Sequence, residues 1–269
     1  MAAIVSAYGT SHVLFSTKGV EERAARVVAG MTELGRRAAE ARPDVLLMIV
    51  SDHMFNINLS IQPPFTVGVS DTFLPWGDLG IPVRPFPGHR DFATGLVRHT
   101  AARGFDLAMA EDVVPDHGVT VPLLFLKPWG SVPVVPLYVN INMDPAPEPK
   151  RCHDLAVAIR EYVEKVRPRS ERVAIVGSGG LSHWLSVPKM GTVAEEFDHD
   201  VLATIAAGDG AKLARFTAAD IEEHAGNGGL EIMNWMMMSV AAGEPKGEAV
   251  FYEPIPQWFT GMGGIAMRV

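Results

Sequence analysis

Five apolar runs of strand length, Ala2 to Ala7, Asp44 to Val50, Phe105 to Ala110, Val132 to Asn140 and Arg172 to Gly177, are separated by stretches with helical spacing. Runs this continuous read as strands buried on both faces, and such strands need layers of other structure above and below them. The intervening segments supply those layers. Val20, Ala24, Val27, Met31, Leu34 and Ala38 share one helical face, as do Leu155, Ala158, Ile159, Tyr162 and Val166. Strand and helix therefore alternate, which predicts an α/β fold in one domain over residues 1–269, with a central mostly parallel or mixed sheet flanked by helices. The order of the strands does not follow from the alternation.

Two intervals depart from the pattern. The Pro-rich stretch from Gln62 to Pro87 predicts loops and an irregular pair of strands. Leu230 to Ala242 predicts a helix opened by Gly226-Asn227-Gly228-Gly229, after which Glu248 to Val269 returns to strand and turn character. The short Pro stretch from Asp144 to Pro149 reads as a connection between elements.

Composition narrows the chemistry. A formal net charge of -8 and a pI near 5.6 give no basic surface in bulk, so a nucleic-acid partner has no electrostatic support. Cys152 is the only cysteine, which rules out an intrachain disulfide and any four-thiolate zinc or iron–sulfur site within one chain. A metal would have to use histidine and carboxylate. Cys152 itself reads as a structural or surface thiol. The N-terminal MAAIVSAYGTSH lacks a basic segment and long apolar run, and no stretch reaches about 18 uninterrupted apolar residues. The expectation is a cytoplasmic protein with no membrane association.

Four of the nine histidines, His12, His53, His117 and His183, lie a few residues beyond a predicted strand. In open α/β sheets, sites gather beyond the carboxyl ends of the strands, so residues distant in sequence can converge there. The contexts Gly9-Thr10-Ser11-His12, Ser51-Asp52-His53, Asp116-His117-Gly118 and Gly179-Gly180-Leu181-Ser182-His183 are small or polar turns that leave room in front of an imidazole. Each histidine alone also suits a hydrogen-bonded structural role. His89, His99, His153, His199 and His224 have surface or charged surroundings and read as solvated. Glu231 is the candidate carboxylate, an acid opening an otherwise apolar helix, although the helix macrodipole alone favours a glutamate there. Gly177-Ser178-Gly179-Gly180 follows a strand like the start of a dinucleotide fingerprint, but Ser182 stands where the third glycine belongs. Nicotinamide binding is therefore rejected. The glycines instead predict close backbone approach that lets His183 face the site.

Taken in order, Thr10-Ser11-His12, Asp52-His53, Asp116-His117-Gly118-Val119-Thr120-Val121-Pro122, Gly177-Ser178-Gly179-Gly180-Leu181-Ser182-His183, Glu231-Ile232-Met233-Asn234-Trp235 and Tyr252-Glu253-Pro254-Ile255-Pro256 resemble the type III extradiol ring-cleavage dioxygenases. That family includes protocatechuate 4,5-dioxygenase catalytic β subunits, gallate dioxygenases and 2,3-dihydroxyphenylpropionate 1,2-dioxygenases. The resemblance implies that His12, His53 and Glu231 ligate Fe(II). It makes His183 the acid–base histidine and His117 a second active-site histidine close to substrate or oxygen. The implied partners are a small aromatic diol and O2, a homo-oligomer, and a small α-type subunit in some relatives. The implied activity is ring cleavage beside the diol with both oxygen atoms of O2 incorporated, in aromatic-compound catabolism.

Substrate-pocket candidates are Phe65, Thr120 and Trp184, with core packing open for Phe65 and Trp184 and a helix cap for Thr120. Trp184 departs from the glutamine of several relatives. Pro254-Ile255-Pro256-Gln257-Trp258 is similar to the dihydroxyphenylpropionate branch, and other sections to the protocatechuate branch, so no single catechol is selected. The other readings are cleavage of an aminophenol or hydroxypyridone ring, a non-catalytic subunit, and a zinc hydrolase, since two histidines and a carboxylate also bind zinc.

Overall fold

The structure, a computed structural model, describes residues 2–126 and 131–269. In chain order it contains β1 (Ala3–Thr10), α1 (Glu21–Ala41), β2 (Val45–Ser51), β3 (Phe65–Gly68), β4 (Thr72–Phe73), β5 (Phe86–Pro87), α2 (Arg90–Ala101), β6 (Ala108–Ala110), α3 (His117–Leu126), β7 (Val134–Val139), α4 (Pro149–Val166), β8 (Arg172–Ser178), α5 (Glu195–Ala206), α6 (Ala218–Ala225), α7 (Ile232–Ala241), β9 (Gly247–Ile255) and β10 (Thr260–Met267). The eight-stranded sheet has the order β6-β3-β7-β2-β8-β1-β10-β9. Its centre, β7-β2-β8-β1, is parallel, and antiparallel pairings of β3 with β7 and of β10 with β1 make the sheet mixed.

Both faces of the centre are covered, as the continuous apolar runs require. Along β2, Val45, Leu47 and Ile49 pack into the cluster formed with α2, α4 and α7. The alternate residues Leu46, Met48 and Val50 pack on the other face with Leu34 and Ala38 of α1 and with Val119 and Leu123 of α3. The result is an α/β/α sandwich. No helix of the described residues is long and apolar enough to cross a membrane.

The Pro-rich interval behaves only partly as its composition predicts. The irregular pair is β4 with β5, but β3 inside the same interval joins the main sheet beside β7. The run from Phe105 narrows to the three-residue edge strand β6. Helix α7 is buried all round, from Ile232 to Ala241, as expected of a helix with no polar face. Two of its side chains fasten the end of β8: Asn234 Nδ2 donates to Ser178 O at 2.8 Å and Trp235 Nε1 to Gly179 O at 3.2 Å. Trp235 also lies where a Cβ on Gly9 would come within 2.5 Å of it, so α7 and β1 touch through that glycine. Trp235→Ala is expected to cost about 3–5 kcal/mol of stability, read as a lower midpoint of urea unfolding.

Candidate metal and proton-transfer site

Strand β8 lies between β1 and β2, so the chain leaving β1 and the chain leaving β2 emerge on either side of the end of β8. His12 and His53 ride on those two segments. His117 begins α3, and His183 follows the glycine turn after β8. Glu231 ends the short turn Gly229–Glu231 that leads into α7. The topology thus brings all five residues to one end of the sheet.

Each imidazole has one nitrogen committed to the protein. His12 Nδ1 lies 3.0 Å from Ser178 Oγ, whose own hydroxyl donates to Gly118 O at 2.5 Å, so the serine oxygen accepts from His12. His53 Nδ1 donates to Asp116 Oδ2 at 3.0 Å, His117 Nδ1 to Asp78 Oδ2 at 2.5 Å, and His183 Nδ1 to Leu181 O at 2.9 Å. All four rings therefore keep Nε2 for the site, and fixing one nitrogen decides the role of the other. The ring centroids of His12 and His53 are 5.0 Å apart, and those of His53 and His117 4.0 Å.

Glu231 sits among them, 1% exposed. Its Oε2 is 3.4 Å from His12 Nε2 and 3.9 Å from His183 Nε2, and its Oε1 is 3.5 Å from His53 Nε2. Ser51 Oγ donates to Oε1, and Gly180 N donates to Oε2 at 2.5 Å. Burial alone would raise the Glu231 pKa, but the surrounding imidazoles, His12 foremost, hold the carboxyl well below its usual range. Burial pushes His12 down to about 3 despite that carboxylate, so its ring is neutral. Burial also opposes charge on His53, but hydrogen bonds to Asp116 and Glu231 outweigh it and hold its pKa up at about 10.

These facts test whether the residues suit a cation. With its proton on Nδ1, His12 turns a lone pair toward a carboxylate oxygen, and two acceptors face one another at 3.4 Å with no proton between them. A cation relieves that opposition. On the other side, the extra proton that His53 carries occupies the place a metal would take, and metal binding would release it. The described residues also contain a second grouping, His12, His53 and His117, whose ligand nitrogens all lie within 4.8 Å of one another.

The supporting residues are as informative as the histidines. Asp116 caps α3 by accepting from Gly118 N at 2.8 Å, while its other oxygen takes both His53 N and His53 Nδ1. Burial alone would raise the Asp116 pKa, but His53 outweighs it and brings it down to about 2. Asp116→Asn would turn an amide N–H toward those donors, and metal affinity is expected to fall about 10–100-fold, measured by titration against a competing chelator.

Two glycines pack against the His183 ring, Gly180 from the turn after β8 and Gly228, which the sequence marked only as part of a helix opening. A Cβ on Gly180 would lie 2.9 Å from the His183 ring, and one on Gly228 only 2.0 Å from His183 Nε2. Gly228 has an ordinary backbone conformation, φ -83°, so alanine there would be excluded by the imidazole and not by strain. Gly228→Ala is expected to displace His183 and cut turnover at least about tenfold with unchanged metal content, checked by kinetics alongside metal analysis.

In front of the site opens a pocket of about 210 Å³, lined by His12, Val13, Phe15, His53, His117, Gly180, His183, Leu185, Glu231, Trp258, Phe259 and Thr260. Phe259 holds its place in that wall with φ 64°, a left-handed conformation that is sterically costly for a bulky side chain.

None of the three expected substrate residues is among those lining the pocket. Phe65, opposite Val139 at the start of β3, is in the core. Trp184 packs against Gly226, and Thr120 Oγ1 donates to Asp116 O at 2.9 Å within α3. Of the histidines read as solvated, His199 and His224 are exposed. His89, His99 and His153 are half-buried, with His89 capping α2. Cys152 is fully buried, and burial raises its thiol pKa. Sequence reasoning missed Asp78, Ser51 and Ser178 as partners and Val13, Phe15, Leu185, Trp258 and Phe259 as walls. Only Asp116, adjacent to His117, and Ser51, within the Ser-Asp-His turn, carried a local signal.

Residues 4–263 match the family described as the catalytic LigB subunit of aromatic ring-opening dioxygenase. Among curated relatives, the 2,3-dihydroxyphenylpropionate/2,3-dihydroxicinnamic acid 1,2-dioxygenase of Photorhabdus laumondii is 25% identical, with 88% of each chain covered. The enzymes of the same name from Rhodococcus sp and, numbered 2, from Dechloromonas aromatica are each 26% identical; 88% and 89% of this chain are covered, and 89% and 90% of theirs. The crystal structure of an uncharacterized Escherichia coli K12 protein has the same fold, with a TM-score of 0.64, 15% identity, and 98% and 99% of the two chains covered.

Proposed function

Because the chain belongs to the LigB family of aromatic ring-opening dioxygenases, we propose that it cleaves a catechol beside its two hydroxyls, using Fe(II) and incorporating both atoms of O2. The observation that carries this reading is the set of four imidazoles, each tied to the protein through Nδ1, with Nε2 of His12, His53 and His183 within 3.9 Å of one buried carboxylate. His12, His53 and Glu231 would hold the metal, and two histidines with one carboxylate on one side of an ion leave positions for both reactants. Bound Fe(II) would supply the electronic link between diol and dioxygen.

The protein's own part is proton management, orientation and exclusion of water. His183 Nε2 takes a proton from the diol and later returns it, because the bond to Leu181 O fixes which nitrogen is free. His117, held by Asp78 through Nδ1, keeps its Nε2 for the pocket and would stabilise charge that develops on oxygen. Val13, Phe15 and Trp258 enclose the ring in an apolar wall. A second reading, zinc-assisted hydrolysis, is favoured only by the group of three nitrogens from His12, His53 and His117.

Anaerobic reconstitution with Fe(II), followed by a catechol panel with O2 electrode and absorbance recorded together, separates the two. The expected result is one O2 consumed per diol with the absorbance of a ring-opened product. Zinc-supported ester or amide hydrolysis without O2 uptake would overturn it.

A further inference from the structure

Apart from the histidines of the site itself, the pocket offers no cationic side chain to an anionic substituent. Among the described residues that line it there is no lysine or arginine; beyond the histidines its charged group is Glu231, and the outer wall is Val13, Phe15, Leu185, Trp258 and Phe259. Of the basic residues near these walls in sequence, Arg23 Nη1 donates to Pro254 O at 2.6 Å, Arg26 pairs with Glu253, and Lys18, three residues past Phe15, is exposed and lines neither the pocket nor the groove beside it. Lys189 lies 5.7 Å from the ring centre of Trp184, which is itself outside the lining. A carboxylate brought into this space would lose its hydration without gaining a partner, and an unpaired buried charge is strongly disfavoured.

Size points the same way. At about 210 Å³ the pocket is smaller than the roughly 300 Å³ at which drug-sized sites begin, so it suits one ring with little attached. Beside it lies a shallow groove of about 390 Å³ formed by Leu14, Thr17, Glu21, Ala24, Ala25 and Val28, which shares Phe15 and Trp258 with the pocket. Phe15, 38% exposed, stands between the two spaces with its ring in edge contact with Phe259 at 6.3 Å. A chain leaving the ring toward that side meets mostly apolar surface, and the charged group there, Glu21, is an anion that would repel a carboxylate.

We propose that the diol taken by this site bears an uncharged, apolar substituent, which runs along Phe15 and Trp258 toward the neighbouring groove. The assignment rests on the ring-cleavage reading and deepens it. It also separates this chain from the relatives named above, whose named substrates carry a carboxylate.

The test is a matched pair, 3-propylcatechol against 2,3-dihydroxyphenylpropionate, with the Fe(II)-loaded protein. Dissociation constants come from quenching of tryptophan fluorescence without O2, since Trp258 lines the pocket, and kcat/KM from O2 uptake. The propyl diol is expected to bind at least about tenfold more tightly, and Leu185→Arg, at the rim, should narrow or reverse that ratio. Equal or tighter binding of the carboxylate would overturn the proposal, and loss of such a preference in Lys189→Met would make Lys189 the anchor instead. Tighter binding of the propyl diol without O2 uptake would uphold the pocket assignment and contradict the ring-cleavage reading, whereas a carboxylate preference with O2 uptake would do the reverse. Binding of neither diol would overturn both.

Discussion

Replacing Glu231 with glutamine is expected to abolish tight metal binding while leaving the protein folded. The amide has nearly the shape of the carboxylate, and its oxygen can still accept from Gly180 N. Its nitrogen, however, must then face the Ser51 hydroxyl and His53, where the carboxylate accepts in the native protein. The charge that balances a divalent ion is gone, and only neutral imidazoles remain. Loss of an outer partner of a ligand costs about 10–100-fold in affinity, and loss of a charged ligand should exceed that. Competition with a chelator measures it, and turnover should fall in parallel and recover partly at high Fe(II). Native affinity in Glu231→Gln would remove the carboxylate from the ligand set.

His183→Ala should give the opposite pattern. The imidazole lies 3.9 Å from Glu231 and is anchored by Leu181 O on its own turn, so its removal leaves His12, His53 and Glu231 and their partners in place. Metal content should be unchanged while kcat falls about 10²–10⁴-fold, the range for a lost proton-transfer group. Free imidazole should restore part of the rate, because the space it needs is already bounded by Gly180 and Gly228. Native turnover in this variant would take proton transfer away from His183. The two variants thus separate holding the metal from moving protons.

The parts of this site that could be read in the sequence are those tied to a strand end. His12, His53 and His183 each follow a long apolar run by a few residues, and the parallel centre of the sheet turns that local fact into spatial convergence. Glu231 was ambiguous because a glutamate entering a helix needs no ligand role. The structure gives its side chain no capping bond to α7 and surrounds it instead with Ser51, Gly180 and the imidazoles. Asp78 was not legible at all, since its bond to His117 spans 39 residues from an irregular Pro-rich loop that has no periodicity. The same interval hid β3, a four-residue strand recognisable only from its pairing with β7. The pocket walls were hidden for a similar reason: Phe15, Trp258 and Phe259 lie outside the helices and strands that periodicity marks, and only the folded sheet brings them together.

Which atoms hold the metal can be read from anomalous diffraction at the iron edge, on crystals loaded with Fe(II) without O2. A single peak is expected, bonded to His12 Nε2, His53 Nε2 and the Glu231 carboxylate, with His117 and His183 outside bonding distance. A peak held by His12, His53 and His117, with Glu231 turned away, would contradict it.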